Sequence, residues 1–424
     1  MVSVELQDTF LSLVRLGIGN GTVNGSRFTV HGSVDWEALK VLADRQGLSA
    51  VVLDALNTDG TNLTDTIPVQ MKLEWIGEVL QNYEARYKAY EKAIGSLAGW
   101  YNQHGFKMMV LKGYACALDW PRPEHRPCGD IDIWLFGQQK EADAVLSHTD
   151  FTDFTDFTDK GSPDGSKSDK NLSQNQSRIG ELENRIVIDN SHHHHTVFEW
   201  EGFTVENHYD FINVHHHKSH VALEKTLKEL GQDDSYSVEL SVLSKESEQV
   251  RAESLETVDS GKKKVESVKV YIPSPNLHAL FLIKHLMLHF STNEITFRQL
   301  LDWGFFVEKH GKDIDWKWFE EILDQFGMKK LYNIFNVICV EDLGFDAIYF
   351  QIGQYDAVLK ERVLNEIFEP EFSGTMHKGL IRRAVFKYRR WKANEWKHEL
   401  CYKESMWSAF WSGVWNHLLR PKTI

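Results

Sequence analysis

No stretch of this chain reaches the roughly 18 consecutive apolar residues of a membrane-spanning helix, which excludes a transmembrane segment of that kind. Met1 to Asp8 lack the basic start and apolar centre of a secretion signal, so the expected location is cytoplasmic. Cysteine is scarce: Cys116, Cys128, Cys339 and Cys401 are the only four in 424 residues, and none has Cys-x-x-Cys spacing. That excludes a disulfide framework and a cysteine-based zinc site, and leaves four reduced thiols. Positive charge is in deficit too, with 47 Lys and Arg against 61 Asp and Glu and a net charge of −14. A general nucleic-acid binder presents a basic surface, so a small-molecule or protein partner is favoured over nucleic acid.

What is present is ample apolar material, 42% of residues, enough for two or three packed units in a chain of this length. Residues 1–100 form an N-terminal helical region in which a long helical pattern opens after Ile67-Pro68. It runs from Val69 to Gln103, with Leu80, Tyr83, Tyr87, Tyr90 and Ile94 on recurring turns. Residues 101–272 read as a catalytic core. A polar insertion at about 149–190 interrupts it with Thr-Asp-Phe repeats, followed by Ser, Asp, Asn, Gln and Gly, too little apolar surface to offset ordering. After Pro273-Ser274-Pro275, residues 273–424 follow as a C-terminal helical domain.

The chemistry concentrates at Asp130-Ile131-Asp132. The apolar residues Ile133-Trp134-Leu135 that follow make this a strand start, so both carboxylates share one face. Carboxylates so close resist joint ionisation unless a cation lies between them, and hard oxygen donors favour Mg²⁺ or Mn²⁺. Gly129 lets the backbone turn into the strand and leaves room for an anion. Upstream, Phe106 to Leu111 reads as a buried strand, Lys112-Gly113 as a turn, and Tyr114 to Leu118 as helix-compatible. Lys112 and Arg126 are candidate phosphate partners, with a surface ion pair as the plain alternative. Thr196 to Phe211 reads as a hairpin bent at Glu201-Gly202. On residue type alone, Glu206 and His208 would be an exposed strand face.

Leu111-Lys112-Gly113, Pro121, Arg126 and Gly129-Asp130-Ile131-Asp132 resemble the polymerase-β-like nucleotidyltransferase superfamily, and within it a bacterial family of uncharacterised nucleotidyltransferases. The resemblance covers roughly residues 70–330. It implies an α+β fold, with a polymerase-β-like core of small mixed sheet and helices flanked by helical regions. It also implies transfer of an NMP from an NTP to a hydroxyl acceptor, with two divalent ions, Mg²⁺ or Mn²⁺, as cofactors. Val205-Glu206-Asn207-His208 matches the family's second-strand pattern, which makes Glu206 the implied third carboxylate beside Asp130 and Asp132. The three should then converge within about 5 Å, as shared metal ions require. Lys112, Gly113, Arg126, Gly129 and His208 are the implied nucleotide-binding residues. In place of the usual Gly-Gly or Gly-Ser this chain has Gly113-Tyr114, which removes a small group that contacts phosphate. That departure favours one alternative, an inactive nucleotide- or partner-binding module of the same fold.

A second alternative rests on histidines. His192 to His195, with His208, His215, His216, His217 and His220, suggest a His-rich metal-binding interaction protein, although four consecutive histidines on a strand cannot face one ion. Further on, His285, His289, Arg298 and Asp302 also match the family. Either they supply base or acceptor contacts, or the histidines pack in a core while Arg298 pairs with Asp302 at i, i+4, the reading favoured here. A His-Glu-x-x-His protease is excluded for want of the glutamate. Lys378, Arg382, Arg383, Lys387, Arg389, Arg390 and Lys392 form a basic segment, expected to pair with the acidic remainder. Trp396, Trp407, Trp411 and Trp415 are expected to pack in a core.

Overall fold

The Asp-x-Asp strand and the hairpin are neighbours in one six-stranded mixed sheet. The computed structural model describes residues 2–20, 34–57, 67–148, 186–192, 194–214, 217–243, 265–292, 294–372 and 379–419. The Thr-Asp-Phe repeats and most of the polar insertion, together with His193, His215, His216 and Lys378, lie outside them.

Three helices, α1 (Val4–Gly17), α2 (Trp36–Gln46) and α3 (Ser49–Leu56), precede the sheet. Ser3 and Asp35 cap the first two by accepting a backbone N–H each. The expected long helix is α4 (Val69–Val79) and α5 (Arg86–Gln103), joined by a π-helical turn, Leu80–Ala85, with no break in the chain's helical course. Strand β1 (Met109–Val110) follows, then α6 (Lys112–Ala117), β2 (Ile131–Trp134) and α7 (Gln139–Ser147). The hairpin is β3 (His195–Trp200) and β4 (Phe203–His208). Its two-residue bend is Glu201-Gly202, and both φ angles are positive, 46° and 80°, which matches the twist of the flanking strands. Then come α8 (Lys218–Leu230) and a second hairpin, β5 (Ser237–Leu243) with β6 (Val265–Tyr271).

The strands lie in the order β3-β4-β2-β1-β6-β5. Pairing of β2 with β4 is parallel and sets Asp132 beside Glu206, and Trp134 beside His208. Alternation does the rest. Ile131, Ile133 and Val205 face a core formed with Tyr90, Ile94, Leu97 and Tyr101 of α5. Asp132, Glu206 and His208 point to the opposite face, which is covered by α9 (Pro275–Thr292), with Phe281 against Phe211 at 5.6 Å between ring centres.

After α9 the chain is helical: α10 (Phe297–His310), α11 (Trp316–Phe326), α12 (Lys329–Val337), α13 (Ala357–Phe368), α14 (Leu380–Ala393), α15 (Glu395–Cys401) and α16 (Met406–Leu419). The N-terminal helices share its core. Phe10 of α1 packs on Phe297 and Phe368, and the Gln46 amide joins both by accepting from Phe297 N–H and donating to Ile367 C=O. Trp396 packs against this core, but Trp407, Trp411 and Trp415 are exposed, contrary to the expected packing. The reason is the position of α16, which packs on α15 and places Trp407 and Phe410 against Trp391 of α14. No helix among the described residues is long and apolar enough to cross a membrane.

Candidate active site

Asp130 ends the loop before β2 and is exposed, whereas Asp132, inside the strand, is buried. The Lys112 ammonium lies 2.7 Å from Asp132 Oδ1 and His208 Nε2 lies 3.1 Å from the same oxygen. Burial alone would raise the pKa of Asp132, but Lys112 and the His208 hydrogen bond outweigh it and hold the carboxyl well below its ordinary range. The His208 ring is the reciprocal case. Burial opposes its charge, yet Asp132 and Glu206 raise its pKa, and Nδ1 sits 3.2 Å from the Asp210 carbonyl. Protonated, the ring donates at both nitrogens.

Glu206 enters from β4. Its carboxylate lies 3.6 Å from His208 Nε2 and 3.8 Å from His195 Nε2. One ligand atom each from Asp132, Glu206 and His208 fall within 4.8 Å of one another, and the same holds for His194, His195 and His208. Asp132 and Glu206 therefore meet the expected convergence. Asp130 is in neither trio, although it borders the cavity; partial burial, and then the charges of Glu206 and Asp132, raise its pKa. His195 is neutral at physiological pH, because burial, helped by His208, His192 and Lys112 and opposed by Glu206, lowers its pKa to about 4.

Gly113 turns the chain from β1 into α6 at φ +24°, and a Cβ there would come within 2.5 Å of the Tyr90 hydroxyl. With no side chain in the way, that hydroxyl donates to the Asp130 carbonyl at 2.8 Å and fixes the start of β2. Beside Gly129 the space is open. Tyr114 is buried, its ring stacked on Tyr87 and its hydroxyl donating to Glu91 at 2.8 Å, so it does not stand in for the missing serine or glycine.

These groups form one wall of a cavity of about 410 Å³. The other wall is helical, with Lys284, His285 and His289 from α9 and Arg298 and Asp302 from α10. The favoured pairing of Arg298 with Asp302 is corrected here. Asp302 instead accepts both arms of Arg126, at 2.7 and 2.9 Å, and the Trp120 indole N–H at 2.8 Å. A loop residue that folds across α10 meets the carboxylate squarely, which a neighbour one helical turn away does not. Arg126 also donates to the Pro127 carbonyl, so of the two expected phosphate partners Lys112 is the one that sits among the carboxylates. His285 and His289 are half-buried on the cavity, not sealed in a core; burial first, then Lys112, lowers the pKa of each.

The residue passed over in the sequence is Lys284, next to His285. Its signal was a lysine inside Ala279 to Leu288, a run that is apolar but for Lys284 and His285. It is buried, its ammonium lies 4.3 Å from the Tyr402 ring centre, and burial lowers its pKa to about 8.

A mixed sheet that carries acidic residues on adjacent strands above a cavity, flanked by helices, defines a nucleotidyltransferase-type α+β core. The chain belongs to the family described as uncharacterised nucleotidyltransferase, whose model matches residues 32–252 and 238–342. Both walls of the cavity fall within those spans. Neither the curated proteins nor the solved structures contain a match to it.

Proposed function

We propose that the protein transfers a nucleoside monophosphate from an NTP to a hydroxyl acceptor, with release of pyrophosphate, and that it depends on two divalent ions, Mg²⁺ or Mn²⁺. The observation that carries this reading is the convergence of Asp132, Glu206 and His208 on one cavity in a chain of a nucleotidyltransferase family. The donor set suits a divalent cation: the Asp132 and Glu206 carboxylates meet within 4.8 Å, and Lys112 and His208 supply positive charge against Asp132.

Asp130, Asp132 and Glu206 would hold the ions. Bound there, divalent metal neutralises charge on the departing pyrophosphate and lowers the pKa of the attacking hydroxyl. Lys112 adds a cation beside the transferred phosphoryl group and keeps Asp132 ionised and oriented until the site is loaded. His208, tied to the Asp210 carbonyl, fixes the direction from which Asp132 and Glu206 meet the substrate. Gly113 and Gly129 leave main chain open to phosphate oxygens, and Arg126 braces the loop before β2 through Asp302. In-line attack on the α-phosphorus breaks its bond to the β-phosphate oxygen, and the hydroxyl proton is lost to water. With a net charge of −14, a small-molecule or protein acceptor in the cytoplasm fits better than nucleic acid.

The test is Mg²⁺- or Mn²⁺-dependent transfer of label from each of four α-labelled NTPs in cell lysate, with wild type beside Asp130→Asn/Asp132→Asn. Label on an acceptor with wild type only is the expected result. The engaged Tyr114 hydroxyl favours a second reading, an inactive nucleotide-binding module. NTP binding without transfer from any of the four would establish that one and sink the first.

A further inference from the structure

Charges in the cavity pair off unevenly. Lys112 is matched by Asp132, and Arg126 by Asp302. On the strand wall Asp130 and Glu206 remain for cations. On the helical wall Lys284 and Arg298 remain: the Lys284 ammonium lies over the Tyr402 ring, whereas among the described residues the Arg298 guanidinium makes no hydrogen bond and no ion pair. Asp302, the carboxylate that favours its charge, already has its oxygens on Arg126 and Trp120.

The position of Arg298 is built rather than incidental. It is the second residue of α10, whose start is fixed by a capping box between Thr296 and Gln299. Its stem runs past Gly47, where a Cβ would stand 3.4 Å from Arg298 Cδ and 3.5 Å from Pro127 Cγ. Burial and the like charge of Arg126 both disfavour the guanidinium, and an arginine does not give up its proton to escape them. Asp302 attracts it without bonding to it, and a largely buried guanidinium that faces a cavity with no hydrogen-bond partner calls for an anion.

The family's usual small residue at the phosphate turn is Tyr114 here, and its hydroxyl is spent on Glu91. We propose that Arg298 replaces that contact and clamps the terminal phosphates of the triphosphate, reaching them from the helical wall while the carboxylates approach from the strand wall. The inference rests on the nucleotidyl-transfer reading and deepens it. A metal-bound triphosphate complements both walls at once: its cations meet Asp130, Asp132 and Glu206, and its outer oxygens meet Arg298 in a two-armed contact. His285 and His289 add little charge at neutral pH, because burial and their cationic neighbours lower their pKa values.

Calorimetric titration with inorganic tripolyphosphate and with nucleoside monophosphates, in Mg²⁺, tests the clamp on wild type, Arg298→Gln and Arg298→Lys. The expected result is a loss of tripolyphosphate affinity of about ten- to a hundredfold in Arg298→Gln, with partial recovery in Arg298→Lys. Monophosphate affinity should be unchanged. Tripolyphosphate binding preserved within about twofold, or an equal loss for the monophosphates, overturns the proposal. Should Arg298→Gln fail to fold, phenylglyoxal modification of the wild type decides: tripolyphosphate shields Arg298, or the clamp is wrong. The two readings fail separately. Tripolyphosphate held through Arg298 without any label transfer removes the enzyme and keeps the clamp, while transfer with an unchanged KM in Arg298→Gln removes the clamp and keeps the enzyme.

Discussion

The strand wall and the helical wall of the cavity solve opposite electrostatic problems. On β2 and β4, acidic groups are crowded by register, and Lys112 and His208 hold Asp132 in its charged form. On α9 and α10 the cations dominate, and one anion, Asp302, is shared between Arg126 and Trp120. Net charge is −14, yet the negative groups do not fill the cavity; carboxylates outnumber cations on the strand side, and cations outnumber carboxylates on the helical side. Such a separation costs more than a mixed lining would, because like charges repel in a poorly hydrated space. It is repaid by a ligand that carries both signs, as a metal-bound triphosphate does.

The comparison breaks most sharply at Asp132. Asp132→Asn should lower label transfer by at least about a thousandfold, since the remaining ligands no longer neutralise the leaving group. A decrease below tenfold in the transfer assay would mean that the strand wall is not the metal-binding side.

Next come the two arginines. Arg126→Ala leaves Asp302 as an uncompensated buried charge and should cost about 3–5 kcal/mol in urea unfolding. Arg298→Gln, which removes a cation without a partner, should cost less than about 1 kcal/mol. Equal losses would erase the distinction between a bracing arginine and a ligand-facing one.

Lys284 sharpens the picture on the helical side. Its pKa in the fold, about 8, lies below the ordinary lysine value of 10.5. Between those values the unfolded chain binds more protons than the folded one, so stability should rise as pH increases from 8 to 10.5. The whole gain is at most about 3 kcal/mol. Lys284→Met should flatten that part of the pH profile of the melting temperature; an unchanged rise would assign it to other groups.

The smallest effect is expected at Tyr114. Tyr114→Phe gives up the hydrogen bond to Glu91 and should cost about 1 kcal/mol in unfolding while leaving tripolyphosphate affinity intact. A marked loss of affinity would return phosphate contact to the turn and weaken the case for Arg298.

Much of the strand wall was legible in the residues. Asp130-Ile131-Asp132 and Glu201-Gly202 are local signals, because alternation and a positive-φ bend need no knowledge of distant chain. The helix from Val69 to Gln103 was equally visible, although its π turn was not. Less visible was anything that depended on where α10 would lie. Helical spacing put Asp302 one turn from Arg298, and nothing in the sequence announced that Arg126, 176 residues upstream, would reach it first. The tryptophans misled for a related reason: Trp396 and Trp411 are alike in type, and only docking decides which is covered.

The sequence by itself determined the strand and helix periods, the acidic hairpin and its family likeness, since these follow from backbone alternation and from short motifs. Tertiary structure decided which charges are matched and which are left facing the cavity. Partners of a buried ion are chosen by the packing of whole elements, and that packing brings together Gly47, Pro127 and Arg298 from parts of the chain far apart in sequence.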